Sequence, residues 1–325
     1  MFDEAPPGGG GNGGPSDDLI LPFKVGEAAV RGRIVRLGST IDEILSRHDF
    51  PAPVNSLVGE AAVLAAMLGS ALKFDGKLIF QAQGDRPVST LVADYAADGA
   101  LRATAIVREG AEETAAKAQG PELHYLLRKG HMVITIDQGP DMERYQGVTP
   151  LDGPSLAKAT VSYFAQSEQI PTALELAVGK IHGPDGKESW RAGGIMVQFV
   201  PGEGGDRERG EAALLETDDK DAWNRAATLL ETTQADELLD PMVSPERLLF
   251  RLFHEDGVRV FEPKQAHFGC TCSKEKIAQV LAQYDAGVIK EMVEDGAIEV
   301  SCDFCRTTYR FELDETGEAF KGEGE

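Results

Sequence analysis

The sequence predicts an α+β protein, and three observations lead to that class. Strand and helix patterns follow one another over residues 19–201 without the regular alternation of a parallel α/β fold. A stretch rich in glycine and charge, Gly202-Glu203-Gly204-Gly205-Asp206, then marks a change of composition. Finally, all four cysteines fall late in the chain as two close pairs, Cys270-Thr271-Cys272 and Cys302-Asp303-Phe304-Cys305. The expected architecture is an antiparallel-sheet N-terminal domain with packed helices, a helical linker and a small C-terminal zinc-binding domain. Its spans are a disordered Gly/Pro-rich tail over 1–18, the N-terminal domain over 19–201, an acidic linker with metastable helices over 202–262, the cysteine domain over 263–314 and a disordered acidic tail over 315–325.

Composition bounds the function. A chain of 325 residues with 42% hydrophobic residues has enough apolar material for real cores. A formal charge of −22 repels a phosphate backbone and disfavours a nucleic-acid role, while helping to keep the protein dispersed when apolar surface is exposed. The opening Met1-Phe2-Asp3-Glu4 has neither a basic start nor an apolar run, so a cytoplasmic location is expected. The apolar run Ala61 to Leu72 is short for a bilayer and reads as a core helix, so no membrane partner is expected.

Taken in order, ordered structure begins near Leu19. Ala28 to Leu37 alternates apolar residues with arginines, a strand pattern interrupted by Gly32. A short helix follows, with Ser39 or Thr40 as its cap and Ile41, Ile44 and Leu45 on its buried face. After Pro51-Ala52-Pro53 comes a long Ala-rich helix, Val54 to Leu72, suited to lie close against a sheet. Lys77 to Gln83, Val88 to Tyr95 and Leu101 to Val107 form an antiparallel meander, joined at Gly84-Asp85-Arg86-Pro87 and Asp98-Gly99. His131 to Asp137 is a strand, Ser155 to Glu168 a helix and Gly194 to Val200 a last strand before Pro201. In the linker, a helix from about Asp219 to Leu239 carries Trp223, Ala226 and Leu230. A second opens at Ser244-Pro245 and carries Leu248, Leu249, Leu252 and Phe253. Both require an apolar surface to lie on, in a static core or otherwise. The C-terminal domain holds a helical stretch, Lys274 to Glu294, broken near Asp285-Ala286-Gly287, then strands Ala297 to Val300 and Thr308 to Phe311.

The cysteine pairs carry the chemistry. Two tight pairs some thirty residues apart supply the four thiolates of one closed tetrahedral Zn2+ site, with Cys270, Cys272, Cys302 and Cys305 as ligands. Free thiols, two disulfides, or His267 in place of one sulfur are the alternatives. A domain of about fifty residues buries too little apolar surface to stand alone, so the metal must hold it together. His48, His124, His131, His182 and His254 are scattered and form no catalytic constellation, and no phosphate-binding G-x-x-x-x-G-K-[ST] occurs, which argues against an enzyme and against ATP.

These pairs and their spacer resemble the zinc signature of the heat shock protein 33 family, the 33 kDa chaperonins. Leu72-Lys73-Phe74-Asp75-Gly76, Gln83-Gly84-Asp85, Glu143-Arg144-Tyr145-Gln146-Gly147, Ser167-Glu168-Gln169-Ile170-Pro171 and Ala192-Gly193-Gly194 resemble its N-terminal domain in the same order. The resemblance runs from about Leu19 to Leu313 and leaves the Gly-rich tail without a counterpart. It implies a redox-regulated, ATP-independent holdase chaperone of the oxidative stress response. Such a protein is off when reduced and zinc-bound, and active as a homodimer on unfolding proteins once oxidised. Under that reading Cys270 pairs with Cys272 and Cys302 with Cys305, each with its nearest resolving thiol, the one-residue loop being strained and readily reduced again. The linker helices then lose a folded neighbour, and Trp223, Leu230, Leu249 and Phe253 become candidate client-binding residues, together with the sheet face they covered. A thiol-disulfide oxidoreductase, an enzyme carrying a static zinc module, and a nucleic-acid-binding zinc module remain as other readings.

Overall fold

The computed structural model describes residues 17–26, 30–72, 76–139, 142–182, 186–200 and 218–312. The terminal tails, the Gly202 to Gly210 stretch, Ala28, Lys73 to Asp75 and Leu313 lie outside the described residues.

Two six-stranded sheets face each other across one helix. The strands are β1 (Leu19–Val25), β2 (Val30–Leu37), β3 (Lys77–Gly84), β4 (Val88–Ala96), β5 (Ala100–Val107), β6 (Gly130–Asp137), β7 (Tyr145–Pro150), β8 (Thr172–His182) and β9 (Glu188–Phe199). They are followed by the short β10 (Val258–Val260), β11 (Lys264–Gln265) and β12 (His267–Phe268), then β13 (Ala297–Ser301) and β14 (Thr308–Glu312). The first sheet runs β10-β1-β2-β9-β8, with β11 also on β1; the second runs β12-β5-β4-β3-β6-β7. Every pairing in them is antiparallel except β12 on β5. The expected meander β3-β4-β5 is present.

The helix Ala52–Gly69 packs on β3, β4 and β5 of one sheet and on β2, β8 and β9 of the other. This explains its composition: apolar nearly all round, it has no solvent face to mark with charge. It is long and apolar enough to cross a membrane, yet 83% of it is buried inside the protein, as a core helix should be. A Cβ at Gly59 would press into Val178, so the close approach of β8 requires that glycine. Gly32 is a similar case: the Phe23 ring and the Met196 carbonyl occupy the space a side chain would take.

Glu60 is the one acid inside this helix layer. It is 7% exposed, and one of its carboxyl oxygens has no hydrogen-bond partner. Burial pushes its pKa up to about 8.

Several expectations shift. β1, β7 and β8 carry no strand assignment in the sequence reading, and β9 starts at Glu188, six residues before the expected Gly194. Thr172-Ala173-Leu174-Glu175-Leu176-Ala177 favours helix by propensity; pairing with β9 along its full length overrides it. β7 contains Gly147 and ends at Pro150, tolerated because it is an edge strand. The helix expected to run to Glu168 is α-helical over Leu156–Tyr163 and then widens into a π-turn, Phe164–Glu168, ending at left-handed Gln169.

The outer face of the first sheet is covered by the linker. Its first helix is two, Asp218–Leu230 and Ala235–Leu239, because Gln234 ends the break with a capping box to Glu237. The next, Pro245–Phe253, opens as expected, with Ser244 Oγ accepting from the Arg247 amide. Leu230, Leu249 and Phe253 are fully buried and Trp223 partly so, against Phe23, Ile34, Ile195 and Val197. Phe253 stacks on Phe23 at 5.8 Å.

One polar contact pins this layer. Arg36 on β2 is 1% exposed. It donates to the carbonyls of Glu237 (3.3 Å) and Asp240 at the short linker helix and to that of Val243 (2.9 Å), two residues before the next helix. Burial, and then Arg191 nearby, lower its pKa.

The boundary expected at 263 does not follow the packing. Residues 258–268 continue as strands β10, β11 and β12 in both N-terminal sheets, and Ala266 lies in the central core. The cysteine module proper begins after Phe268. It contains helices Lys274–Leu281 and Ala286–Glu291 and the hairpin β13-β14. Its buried apolar residues among those described are few, chiefly Leu281, Ile289, Ala297, Ile298 and Phe311.

Candidate metal centre

Each cysteine pair is presented by a local backbone device. The first follows directly from β12, which pairs with Ala100 and Leu101 of β5, and the Gly269 amide donates to the Leu101 carbonyl at 3.1 Å. Gly269 sits against Ala100, where a Cβ would collide with that side chain. After Cys272, Ser273 caps the helix Lys274–Leu281, so the pair is held between a strand end and a helix start. The second pair occupies the turn of the β13-β14 hairpin. The Cys302 amide donates to the Thr307 carbonyl (2.9 Å), the Arg306 amide to the Cys302 carbonyl (2.8 Å), and Arg306 adopts a left-handed φ of 58° to close the loop.

The hairpin brings the two pairs together. All four sulfurs lie within 4.8 Å of one another, with Cys270 Sγ 3.7 Å from Cys302 Sγ and Cys272 Sγ 3.3 Å from Cys305 Sγ. A tetrahedral zinc with bonds of about 2.3 Å has sulfur–sulfur edges of about 3.8 Å. The four-sulfur donor set and its spacing therefore fit such an ion. His267, the alternative donor, lies outside the four-sulfur group.

The electrostatics divide the cysteines. Desolvation pushes Cys272 up to about 12 and also raises Cys302. At Cys305 desolvation acts in the same upward sense, but the Thr307 hydroxyl and amide overcome it and bring the thiol down to about 6. The Tyr309 hydroxyl stands 3.3 Å from Cys272 Sγ. Lys276 Nζ donates to the Thr271 carbonyl at 2.6 Å.

The module meets the N-terminal domain through Arg102 of the second sheet and through Arg47 and His48, which follow the helix Ser39–Ser46; no local sequence pattern pointed to these contacts. Arg102 of β5 points Nη1 at Cys270 Sγ (3.7 Å) and at Thr271 Oγ1 (3.5 Å). Its guanidinium also lies 4.0 Å from the centre of the Phe304 ring. Arg47 donates to the Cys305 carbonyl at 3.2 Å and lies 4.5 Å from the Phe268 ring centre. His48, stacked on Phe50, is buried where Asp303 and Arg306 line a cavity of about 290 Å³ with it. Desolvation lowers its pKa. Nothing in an arginine two residues into a strand signals such a contact; it exists only because β12 docks alongside. The linker residues Trp223, Leu230, Leu249 and Phe253 are not part of this centre, since their helices pack on the other sheet.

Comparison with known proteins places this arrangement. Residues 18–312 match the family described as Hsp33 protein. The chain is 48% identical over 303 residues to a 33 kDa chaperonin of Caulobacter vibrioides, covering 92% of this chain and 96% of that one. It is 35% identical over 298 residues to a 33 kDa chaperonin of Escherichia coli, covering 91% and 93%. Its fold is similar to the crystal structure of a 33 kDa chaperonin, a heat shock protein 33 homologue, from Thermotoga maritima, with a TM-score of 0.70 and 22% identity over 91% of this chain and 95% of that one.

Proposed function

The chain belongs to the Hsp33 family, and we propose from that membership and its four-sulfur cluster that it is a redox-regulated, ATP-independent holdase chaperone of the cytoplasm. Reduced, with one zinc on Cys270, Cys272, Cys302 and Cys305, it is inactive. Oxidised, it binds unfolding proteins, as a homodimer, and keeps them from aggregating. The observation that carries this reading is the convergence of four sulfurs within 4.8 Å in a module whose own core is only a few residues.

When bound, the ion keeps all four sulfurs as thiolates and ties the two pairs into one fold. The remaining steps belong to the chain. Two thiolates give two electrons to an oxidant such as hydrogen peroxide. One S–S bond forms, the O–O bond breaks, and with two protons two waters leave. Repeated at the second pair, this converts four anionic sulfurs into two neutral disulfides, which no longer hold a cation. The pairing proposed is Cys270 with Cys272 and Cys302 with Cys305. The contacts at 3.7 and 3.3 Å run between the pairs, so peptide mapping of the oxidised protein decides the connectivity.

Without its sulfur cluster the module has too little buried surface to stay folded. The route from there to the linker runs along the chain through β12, β11 and β10, rather than through direct packing of the linker helices on the module. Those helices lie mainly on β2, β8 and β9. Once the strands that end at Cys270 fray, the helix Pro245–Phe253 loses its C-terminal anchor. Trp223, Leu230, Leu249 and Phe253, with the face of the first sheet beneath them, then become available to clients.

The test is light scattering from a heat-aggregating client, with reduced zinc-loaded protein and with peroxide- or hypochlorous-acid-treated protein, zinc and thiols being counted in the same samples. Protection confined to the oxidised, zinc-free sample is expected. Equal protection by both samples overturns the switch.

A further inference from the structure

We propose that Arg102 is the residue by which the N-terminal domain senses the oxidation state of the cysteines: its guanidinium keeps the module docked on the second sheet while the sulfurs are anionic. This rests on the redox reading above and adds to it the contact that reads the change.

The geometry is specific. Arg102 sits directly across from Asp94 on the neighbouring strand, with Nε and Nη2 on the same carboxylate oxygen at 3.0 and 2.6 Å. The two side chains are 16% and 10% exposed, so the guanidinium is held in one orientation away from bulk water. Its third nitrogen, Nη1, is left to face the module, where it meets Cys270 Sγ and Thr271 Oγ1. Its flat face is covered by Phe304, which stands between Cys302 and Cys305. One planar cation thus touches a sulfur of the first pair and the ring set between the two cysteines of the second.

The charge arithmetic shows what this contact registers. Four thiolates and one divalent ion sum to −2, whereas two disulfides without an ion sum to zero. A largely desolvated guanidinium beside the first state is attracted to it, and beside the second it has only a neutral sulfur and a hydroxyl. The Asp94 carboxylate balances the charge of Arg102 in either state, so the oxidised form leaves no strongly unpaired ion to resist separation.

Arg47 provides the contrast. It also joins the domain to the second cysteine pair, but its acceptor is the Cys305 carbonyl and its own charge is met by Glu43 at 2.6 Å. That contact is indifferent to the oxidation of sulfur. Of Arg47 and Arg102, only the second meets a sulfur atom, so only its contact registers the charge on the cysteines.

The experiment is hydrogen exchange on the full-length chain, following β5 and the segment 264–272, in reduced zinc-loaded and in oxidised protein. Arg102→Met alone would leave the Asp94 carboxylate buried and unpaired, so it is paired with Asp94→Asn; Arg102→Lys and Arg47→Met are the companions. Zinc content and protection of the helix Lys274–Leu281 report that the reduced module remains folded. The wild type should exchange faster at β12 when oxidised. In the Asp94→Asn, Arg102→Met protein the ratio of oxidised to reduced exchange should fall by about tenfold or more, because the reduced form is already undocked. Arg102→Lys should retain part of the ratio, and Arg47→Met should raise exchange in both states and preserve it. A double variant with the wild-type ratio overturns the role of Arg102 while the redox switch stands. A wild type that shows no change on oxidation overturns both.

Discussion

Two of the three hydrophobic clusters among the described residues, the central core and that of the cysteine module, are stabilised in different ways. The N-terminal core is a continuous layer from Ile20 to Ala266 in which one helix is enclosed by two sheets. The C-terminal module gathers Leu281, Ile289, Ile298 and Phe311 around a helix pair and a hairpin, and its remaining organising element is the cluster of sulfurs. The first is held by area removed from water, spread over many side chains. Under the proposed function the second depends on the charge and valence of four sulfurs, so oxidation changes it all at once. In the proposed switch, the short strands β10 to β12 that join them let the cysteine module act on the linker while the central core remains a fixed surface.

The largest test of this contrast is removal of the metal. Structural zinc supplies about 10 to 16 kcal/mol in small modules. Chelation under reducing conditions should therefore abolish hydrogen-exchange protection over residues 274–312 and leave β2 to β9 protected. Loss of protection in both regions would mean that the two assemblies are not independent.

A substitution at the linker should act on neither core. Phe253→Ala removes a fully buried ring stacked on Phe23 and should cost the docked linker about 3 to 5 kcal/mol. Zinc stoichiometry should be unchanged, and the reduced protein should already protect a heat-aggregating client. A variant that lost metal as well would couple the linker to the module more tightly than the packing implies.

The robust core has its own weak point in Glu60. Its carboxyl is raised to about 8 in the folded protein, from an ordinary 4.5, so the folded state binds more protons than the unfolded one between those values. Stability therefore falls as pH rises through that window, by about 1.4 kcal/mol per pH unit, and levels off above it. Glu60→Gln should flatten the dependence and be more stable than the wild type at pH 8. Urea midpoints of the N-terminal transition at pH 5, 6.5 and 8 measure it, and parallel curves for the two proteins would place the Glu60 charge in contact with water.

The smallest effect is expected beside the sulfurs. Tyr309→Phe deletes the hydroxyl 3.3 Å from Cys272 Sγ and should weaken zinc binding by about tenfold or less, with the module still folded. Competition with a colorimetric chelator gives the ratio. A hundredfold loss would make that hydroxyl a principal support of the site.

Local signals proved reliable where one short pattern was enough. The Ser244-Pro245 helix start, the β3-β4-β5 meander and the two cysteine pairs are each visible within a few residues and appear as expected. Signals failed where a partner elsewhere decided the outcome. Thr172 to Ala177 has the composition of a helix and becomes a strand because β9 needs an edge partner. Residues 264–268 read as part of the cysteine module and instead pair with β1 and β5.

What the sequence determined by itself is the chemistry: which four atoms gather, that a short C-terminal region has few apolar residues to bury, and that the linker helices each carry an apolar face. What only the tertiary structure decided is where these act. The linker covers one sheet and the sulfurs dock on the other, with Arg102 and Arg47 at the junction and Arg36 beneath the linker. The physical reason is range. Thiolate spacing and helical periodicity are set by neighbours a few residues apart, whereas a buried arginine is given its role by groups more than 150 residues away, which no local pattern records.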